Sequence, residues 1–394
     1  MATRARRAAD EPQGLDALLA AKEMVLITGS GGVGKTTVAA ALAATAATHL
    51  GGRVLVLTVD PARRLADALG VGALGNVARR VDDDVFAEAG TTPRGELWAA
   101  MLDTKAGWDE LIRRHAPDAG VRDAVLSNPL YQNITSRFVH SHDYLAMEQL
   151  HELHASGEYD LIIVDTPPSR NALDVLDAPG RMREFFGSRL LRWLTVPYRS
   201  RLFTAASKPF YQVADRVLGS RFLQDIAEFF MLFQAMERGF VAHASEVEQL
   251  LGDLRTTFVV VTTLEAAPAH EAAYLARELR RRDFHLGAIV ANRVMPASFT
   301  KPDAARSAGR LERAAAGDLA AEVAARIDSD AASVAAVLHE VATRFHDVAL
   351  VATREAERRA ELAEQAPALV TAPILDHDIN DVADLLELGE LLRR

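Results

Sequence analysis

Residues 24–41 read MVLITGSGGVGKTTVAAA: an apolar run, a glycine-rich loop and the start of an alanine-rich helical stretch. Within them Gly29, Gly34, Lys35 and Thr36 satisfy the spacing G-x-x-x-x-G-K-[ST]. The pattern has a mechanical reading. Glycines let the chain turn so that backbone N–H groups and the positive end of the following helix face one anion; the lysine bridges β- and γ-phosphates, and the threonine hydroxyl ligates Mg²⁺. The whole loop, Gly29, Ser30, Gly31, Gly32, Val33, Gly34, Lys35, Thr36 and Thr37, is assigned to nucleotide binding, with Lys35 also supplying catalytic charge. The chain has only five lysines, Lys22, Lys35, Lys105, Lys208 and Lys301, so a chance match to this spacing is rare.

Outward from the loop, short apolar runs alternate with helical patterns: Met24–Thr28, Arg53–Asp60, Val85–Ala89, Leu161–Asp165, Phe258–Thr263, His285–Asn292 and Ala368–Thr371. Such runs, buried on both faces and separated by crossover helices, predict an α/β fold with a mainly parallel central sheet flanked by helices. Functional groups then gather at the carboxyl ends of the strands, where Gly29, Asp60, Asp165, Thr263 and Asn292 fall. Residues 20–95, 155–180 and 251–394 form this nucleotide-binding core. Residues 96–154 carry no strand signal and read as a helical segment. Residues 303–365, rich in Ala, Arg and Glu, read as solvated helices packed on the sheet. Residues 181–250 form a helical insertion and hold nine of the fifteen phenylalanines; seven cations against one acid, Asp215, give Arg189–Arg221 a charge of 7 − 1 = +6.

Composition narrows the chemistry. With 394 residues and 49% apolar content the chain can bury a large core. No uncharged apolar run approaches the roughly 20 residues of a spanning helix, and MATRARRAADEP has no apolar core for export, so a cytoplasmic protein is expected. The absence of cysteine removes disulfides, thiolate metal sites and iron–sulfur ligation. A net charge of −10 argues against whole-surface nucleic-acid binding.

Two acidic strand tips complete the chemistry. In Thr58-Val59-Asp60-Pro61, Asp60 suits a group that orients and partly deprotonates the water attacking a γ-phosphate. It equally suits a helix N-cap with Pro61 at the first helical position. In Tyr159-Asp160-Leu161-Ile162-Ile163-Val164-Asp165, the apolar run ends in an aspartate that reaches Mg²⁺ directly or through water, and Thr166-Pro167-Pro168 follows as a γ-phosphate sensor. No [NT]-K-x-D element for guanine occurs, whereas the Asn292 amide can read an adenine edge, which favours ATP. His140, His142, His151 and His154, with Glu148 beside them, read as helix-surface histidines because no second Glu-x-x-His motif accompanies them.

Taken together, GSGGVGKTT, VDPARRLADAL, YDLIIVDTPPSRNALDVL, the strand ending at Asn292 and TAPILDHDINDVADL resemble the arsenical pump-driving ATPase family, which includes the targeting ATPases for tail-anchored membrane proteins. The resemblance spans roughly residues 22–390. It implies that Asp60 is the water-activating residue of switch I, that Asp165 to Leu173 form switch II, that Asn292 contacts adenine and that Pro373 lies near the base. It also implies a nucleotide-switched dimer, closed by ATP and opened by hydrolysis, whose helical insertion handles a hydrophobic client or an anionic membrane surface. Two departures qualify it. The family's loop usually reads G-K-G-G-x-G-K-[ST], and its first lysine reaches the other subunit's phosphates; here that position is Ser30. Either Arg170 substitutes, or a paralogous subunit donates the lysine in a heterodimer, or hydrolysis is slow; the heterodimer is favoured over a homodimer. The missing cysteines remove both metalloid capture and the zinc clasp of the eukaryotic relatives. A catalytically weak regulatory subunit and a partitioning-type ATPase stand as alternatives, the latter opposed by the acidic segment Asp378–Glu387.

Overall fold

The structure, a computed structural model, describes residues 15–58, 64–102, 104–134, 141–166, 229–232, 237–315 and 318–393, with single positions at 177, 180 and 184. Eight strands form one sheet: β1 (Met24–Thr28), β2 (Arg53–Thr58), β3 (Arg79–Arg80), β4 (Glu96–Met101), β5 (Leu161–Asp165), β6 (Thr256–Thr262), β7 (Leu286–Val294) and β8 (Leu369–Pro373). Their order is β3-β4-β2-β5-β1-β6-β7-β8. Every pairing is parallel except the short β3 against β4. β1 and β5 are buried at every residue, as a parallel strand covered by helices on both faces must be.

Register positions the site. Asp165 at the tip of β5 lies level with Ile27 on β1 and with Thr58 on β2. The three strand ends therefore finish on one edge of the sheet.

Helix α1 (Leu15–Ala20), helix α2 (Lys35–His49) and a C-terminal helix (Val382–Arg393) cover one face, closing over Val25, Ile27, Val54, Val56 and Ile163. The opposite face, built on Met24, Leu26, Leu55, Leu57 and Ile162, is covered by three further helices, Ser141–Ser156, Glu237–Gly252 and Ala266–Arg281. Alanine fills α2 because both of its sides are occupied: Ala39 to Ala44 are all buried. The C-terminal helix presses so closely that a Cβ at Gly389 would lie 1.8 Å from Thr45 Oγ1.

Three expectations change. Asp83–Glu88 is a helix rather than the strand expected at Val85–Ala89. Asp82 precedes it in extended conformation and Asp83 and Asp84 occupy its first turn, so acids favour the positive helix end over β-pairing of Val85 and Phe86. Glu96–Met101, read as helical, is strand β4, held between β2 and β3; its Ala-Ala core hides a strand whose conformation comes from tertiary pairing. The insertion also returns to the core earlier than its sequence boundary suggests, since Val247, Leu250 and Leu251 pack with Met147 and Leu150. Residues 303–365 are helical as expected, over Pro302–Ala315, Asp318–Ile327 and Ala331–Ala363. Among the described residues no helix is long and apolar enough to cross a membrane.

Candidate nucleotide-binding site

The loop after β1 is bent by glycines where no other residue fits. Gly29 has φ +149°, and a Cβ there would sit 2.1 Å from the Val261 carbonyl oxygen. Gly34, the N-cap of α2, is left-handed at φ 94° and no side chain caps it. An uncapped N-terminus of a 15-residue helix leaves backbone N–H groups to an anion. Lys35 is buried and its Nζ donates to the Ser30 carbonyl 2.9 Å away, holding the ammonium over the loop.

Asp165 ties two strands and the loop together. Its Oδ2 accepts from Thr36 Oγ1 at 2.6 Å and from Thr58 Oγ1 at 3.0 Å, and its side chain is 1% exposed. A hydroxyl that donates to a carboxylate keeps its lone pairs for a cation. The donor set of Thr36 and Asp165 is all oxygen and only partly fills an octahedron, which fits Mg²⁺ carried with phosphates and waters. Thr166 continues the anchor: its N and its Oγ1 both donate to Ile27 O, at 3.2 and 2.8 Å. Pro167 and Pro168 lie outside the described residues, as does Asp60.

Asn292 lies under the loop. Its Nδ2 donates to Val33 O at 2.9 Å, its Oδ1 accepts from Arg293 N at 3.0 Å, and a Cβ at Gly34 would come within 2.4 Å of Nδ2. The amide that sequence reading assigns to adenine thus also braces the phosphate loop. Pro373 pairs with Val294 at the carboxyl end of β8, three strands and about 14 Å from β1. Ser30 turns inward. Its Oγ is buried without a hydrogen-bond partner among the described residues, and its carbonyl is the acceptor for Lys35.

Sequence reading missed the cleft beside Thr36 and Thr37. It measures about 240 Å³ and is walled by Ala40, by Arg64 and Asp67 on helix α3 (Arg64–Ala68), and by Ile379 and Asn380. Both outer walls lie in stretches quoted above for the family resemblance, VDPARRLADAL and DHDIND, but no spacing rule joins residues over 300 positions apart.

A family model described as anion-transporting ATPase matches residues 22–315. The chain is 31% identical to the uncharacterized protein SCO2128 of Streptomyces coelicolor, across 69% of this chain and 62% of that protein, so it spans less than two thirds of that relative's length. It is 26% identical to the ATPase BagA of Mycobacterium tuberculosis across 93% of this chain and 90% of that one. It is 25% identical to the ATPase GET3 of Podospora anserina, across 71% and 74%.

Proposed function

We propose that this chain, which belongs to the anion-transporting ATPase family, is a P-loop ATP hydrolase that works as a nucleotide-switched dimer coupling ATP turnover to a hydrophobic client or membrane surface. The observation that carries the reading is the shared Oδ2 of Asp165, which accepts from Thr36 at 2.6 Å and from Thr58 at 3.0 Å. One carboxylate thereby couples the phosphate loop to the strand that runs into the Asp60 segment.

Thr36 and Asp165 would hold Mg²⁺, which would supply positive charge to neutralise the phosphates. Lys35 and the N–H groups of Gly31–Lys35 bind the phosphates and hold the γ-phosphoryl oxygens as charge moves toward the leaving group. Asp60 orients the attacking water and takes its proton. The second N–H of Asn292 Nδ2 faces the adenine, with Pro373 beside the base. Thr166, fixed to β1, forms the root of the switch that Pro167 and Pro168 continue. Residues 181–250, aromatic and basic, form the client surface.

Position 30 favours a heterodimer. Its inward hydroxyl supplies no cation across a subunit interface, a contribution that reaches about 10³–10⁵ in rate where an arginine is given in trans. A paralogous partner would bring the lysine. The mass of the ATP-bound assembly in native extract tests this reading: a complex with a second ATPase chain supports it, and a homodimer with full cooperative turnover overturns it. A second reading, a weakly hydrolysing regulatory subunit, rests on the same serine; single-turnover hydrolysis in the purified chain, abolished by Asp60→Asn, excludes it.

A further inference from the structure

Away from the phosphate loop, three helices bring histidines and carboxylates into one cluster around the buried Glu148. His115 is the last residue of the helix Thr104–His115, Glu148 and His151 lie on Ser141–Ser156, and His243 and Glu246 lie on Glu237–Gly252. Glu148 and His151, read from sequence as part of a surface patch, face inward. Glu148 is 3% exposed. Its Oε1 lies 3.2 Å from His115 Nε2 and 3.0 Å from His243 Nε2. Its Oε2 is buried with no hydrogen-bond partner among the described residues, a costly state for a carboxylate unless something else takes the lone pairs.

We propose that His115, Glu148 and His243 bind a first-row divalent transition-metal ion of the Zn²⁺ class, where the helix Thr104–His115 meets the two helices that precede β5 and β6.

The far nitrogen of His243 supplies the argument. Its Nδ1 lies 2.9 Å from Glu246 Oε2, and in the tautomer that donates there the Nε2 lone pair points toward Glu148. With that tautomer Nε2 and Oε1 are two acceptors 3.0 Å apart, a pair that a bound cation would join. A carboxylate on the outer nitrogen is also how ligating histidines are oriented and made more basic. Ligands about 2.0–2.1 Å from a tetrahedral metal sit about 3.3 Å from one another, close to the 3.2 and 3.0 Å found. The rings are held in place. A Cβ at Gly239 would lie 2.9 Å from His115 Nδ1, so the helix backbone fixes that imidazole. His151 packs edge-on against His243, ring centroids 4.7 Å apart. Its buried Nδ1 has no hydrogen-bond partner among the described residues. Two nitrogens and one carboxylate suit Zn²⁺ and Co²⁺ better than Ca²⁺ or Mg²⁺.

The test uses untagged, chelator-stripped full-length chain titrated with Co²⁺ in visible absorption, followed by Zn²⁺ competition. One Co²⁺ per chain with a tetrahedral d–d band, displaced by Zn²⁺, is expected. His243→Gln and Glu148→Gln should each weaken binding by more than the roughly 10–100-fold that losing an outer-shell partner costs, and His270→Ala, an exposed histidine elsewhere, should leave it unchanged. No band, a band that survives both ligand variants, or a site shared by protons alone overturns the proposal. Should the variants lose their circular dichroism, X-ray absorption of the zinc-loaded wild type decides: two imidazole nitrogens and one carboxylate support the site, and any other ligand set refutes it.

Discussion

Thr36 and Thr58 donate to the same oxygen of Asp165, at 2.6 and 3.0 Å, yet only Thr36 belongs to the loop that would carry a cation. Replacing each by valine keeps the shape and removes the hydroxyl. Either change takes a hydrogen bond from a buried carboxylate, worth about 1.5–3 kcal/mol for a charged acceptor, or roughly a 10- to 150-fold shift toward the unfolded state at 1.4 kcal/mol per decade. Urea unfolding without nucleotide should therefore show Thr36→Val and Thr58→Val destabilised by comparable amounts. Mg-ATP at 100 times its dissociation constant adds about 2.7 kcal/mol to a binding-competent chain. Thr58→Val should keep that increment and Thr36→Val should lose it, because the Mg²⁺ ligand has gone. In a double-mutant cycle with Asp165→Asn, the pair with Thr36→Val should cost clearly less than the sum of the two changes. Two results refute the reasoning: additive costs at 36 and 165, or an undiminished magnesium-dependent stabilisation in Thr36→Val.

Four further outcomes are expected. Asp60→Asn should lower single-turnover hydrolysis by about 10²–10⁴ while leaving ATP affinity within a few-fold; quench-flow with labelled ATP distinguishes this from the cap reading of Asp60, in which folding falls and chemistry follows it down. Asn292→Ala removes the donor to Val33 O and should weaken ATP and narrow its preference over GTP; equal losses for the two nucleotides in calorimetry confine Asn292 to bracing the loop. Charge reversal at Arg192, Arg199 and Arg201 together should weaken binding to anionic vesicles or a client helix in co-sedimentation without altering ATP affinity, and unchanged binding counts against the insertion as the contact surface. Asp253 accepts from the Arg255 side chain and backbone, which hold its carboxyl down at about 2. Its contribution is present above the ordinary carboxylate range and disappears as pH falls from about 4 through 2. The stability gap between wild type and Asp253→Asn in acid titrations should close over that window, and a gap independent of pH removes the ion pair as its cause.

How much could be read in advance depended on how locally each feature is encoded. β1 and β5 match the sequence reading to the residue because each is a continuous apolar run ending at a polar tip, buried on both faces. β4 was invisible: Glu96-Leu97-Trp98-Ala99-Ala100-Met101 has no β-branched residue, and its strand state is imposed by β2 on one side and β3 on the other. The run at Val85–Ala89 misled because two apolar side chains outweighed the three preceding aspartates that favour a helix start. At the candidate nucleotide site, the loop and Thr36 were assigned from the spacing of one motif and Asp165 from the end of a second apolar run, and the fold brings Thr36 and Asp165 together. Thr58 as second donor to Asp165 was not, because its role comes from parallel register. The histidine cluster was illegible for the same reason: residues 115, 148 and 243 meet only after three helices have packed.

That packing joins the two sites through the sheet. β5 and β6 are the strands that flank β1, and the helices feeding them, Ser141–Ser156 and Glu237–Gly252, are the ones that share Glu148, His151 and His243. The segment assigned to the client, residues 181–250, follows β5 and includes most of the second of these helices. A ligand at Asp165 acts at the carboxyl end of β5, and a cation at Glu148 fixes the helix that enters the same strand. The two events therefore bear on the same strand and the helix that leads into it. Coupling between them is reciprocal by necessity, so if ATP changes the affinity for Co²⁺ by some factor, Co²⁺ must change the affinity for ATP by the same one. Measuring both in the same preparation checks this directly: a factor of one in each direction would mean that the helices and the switch move independently, and unequal factors would show that the cobalt occupies more than one site.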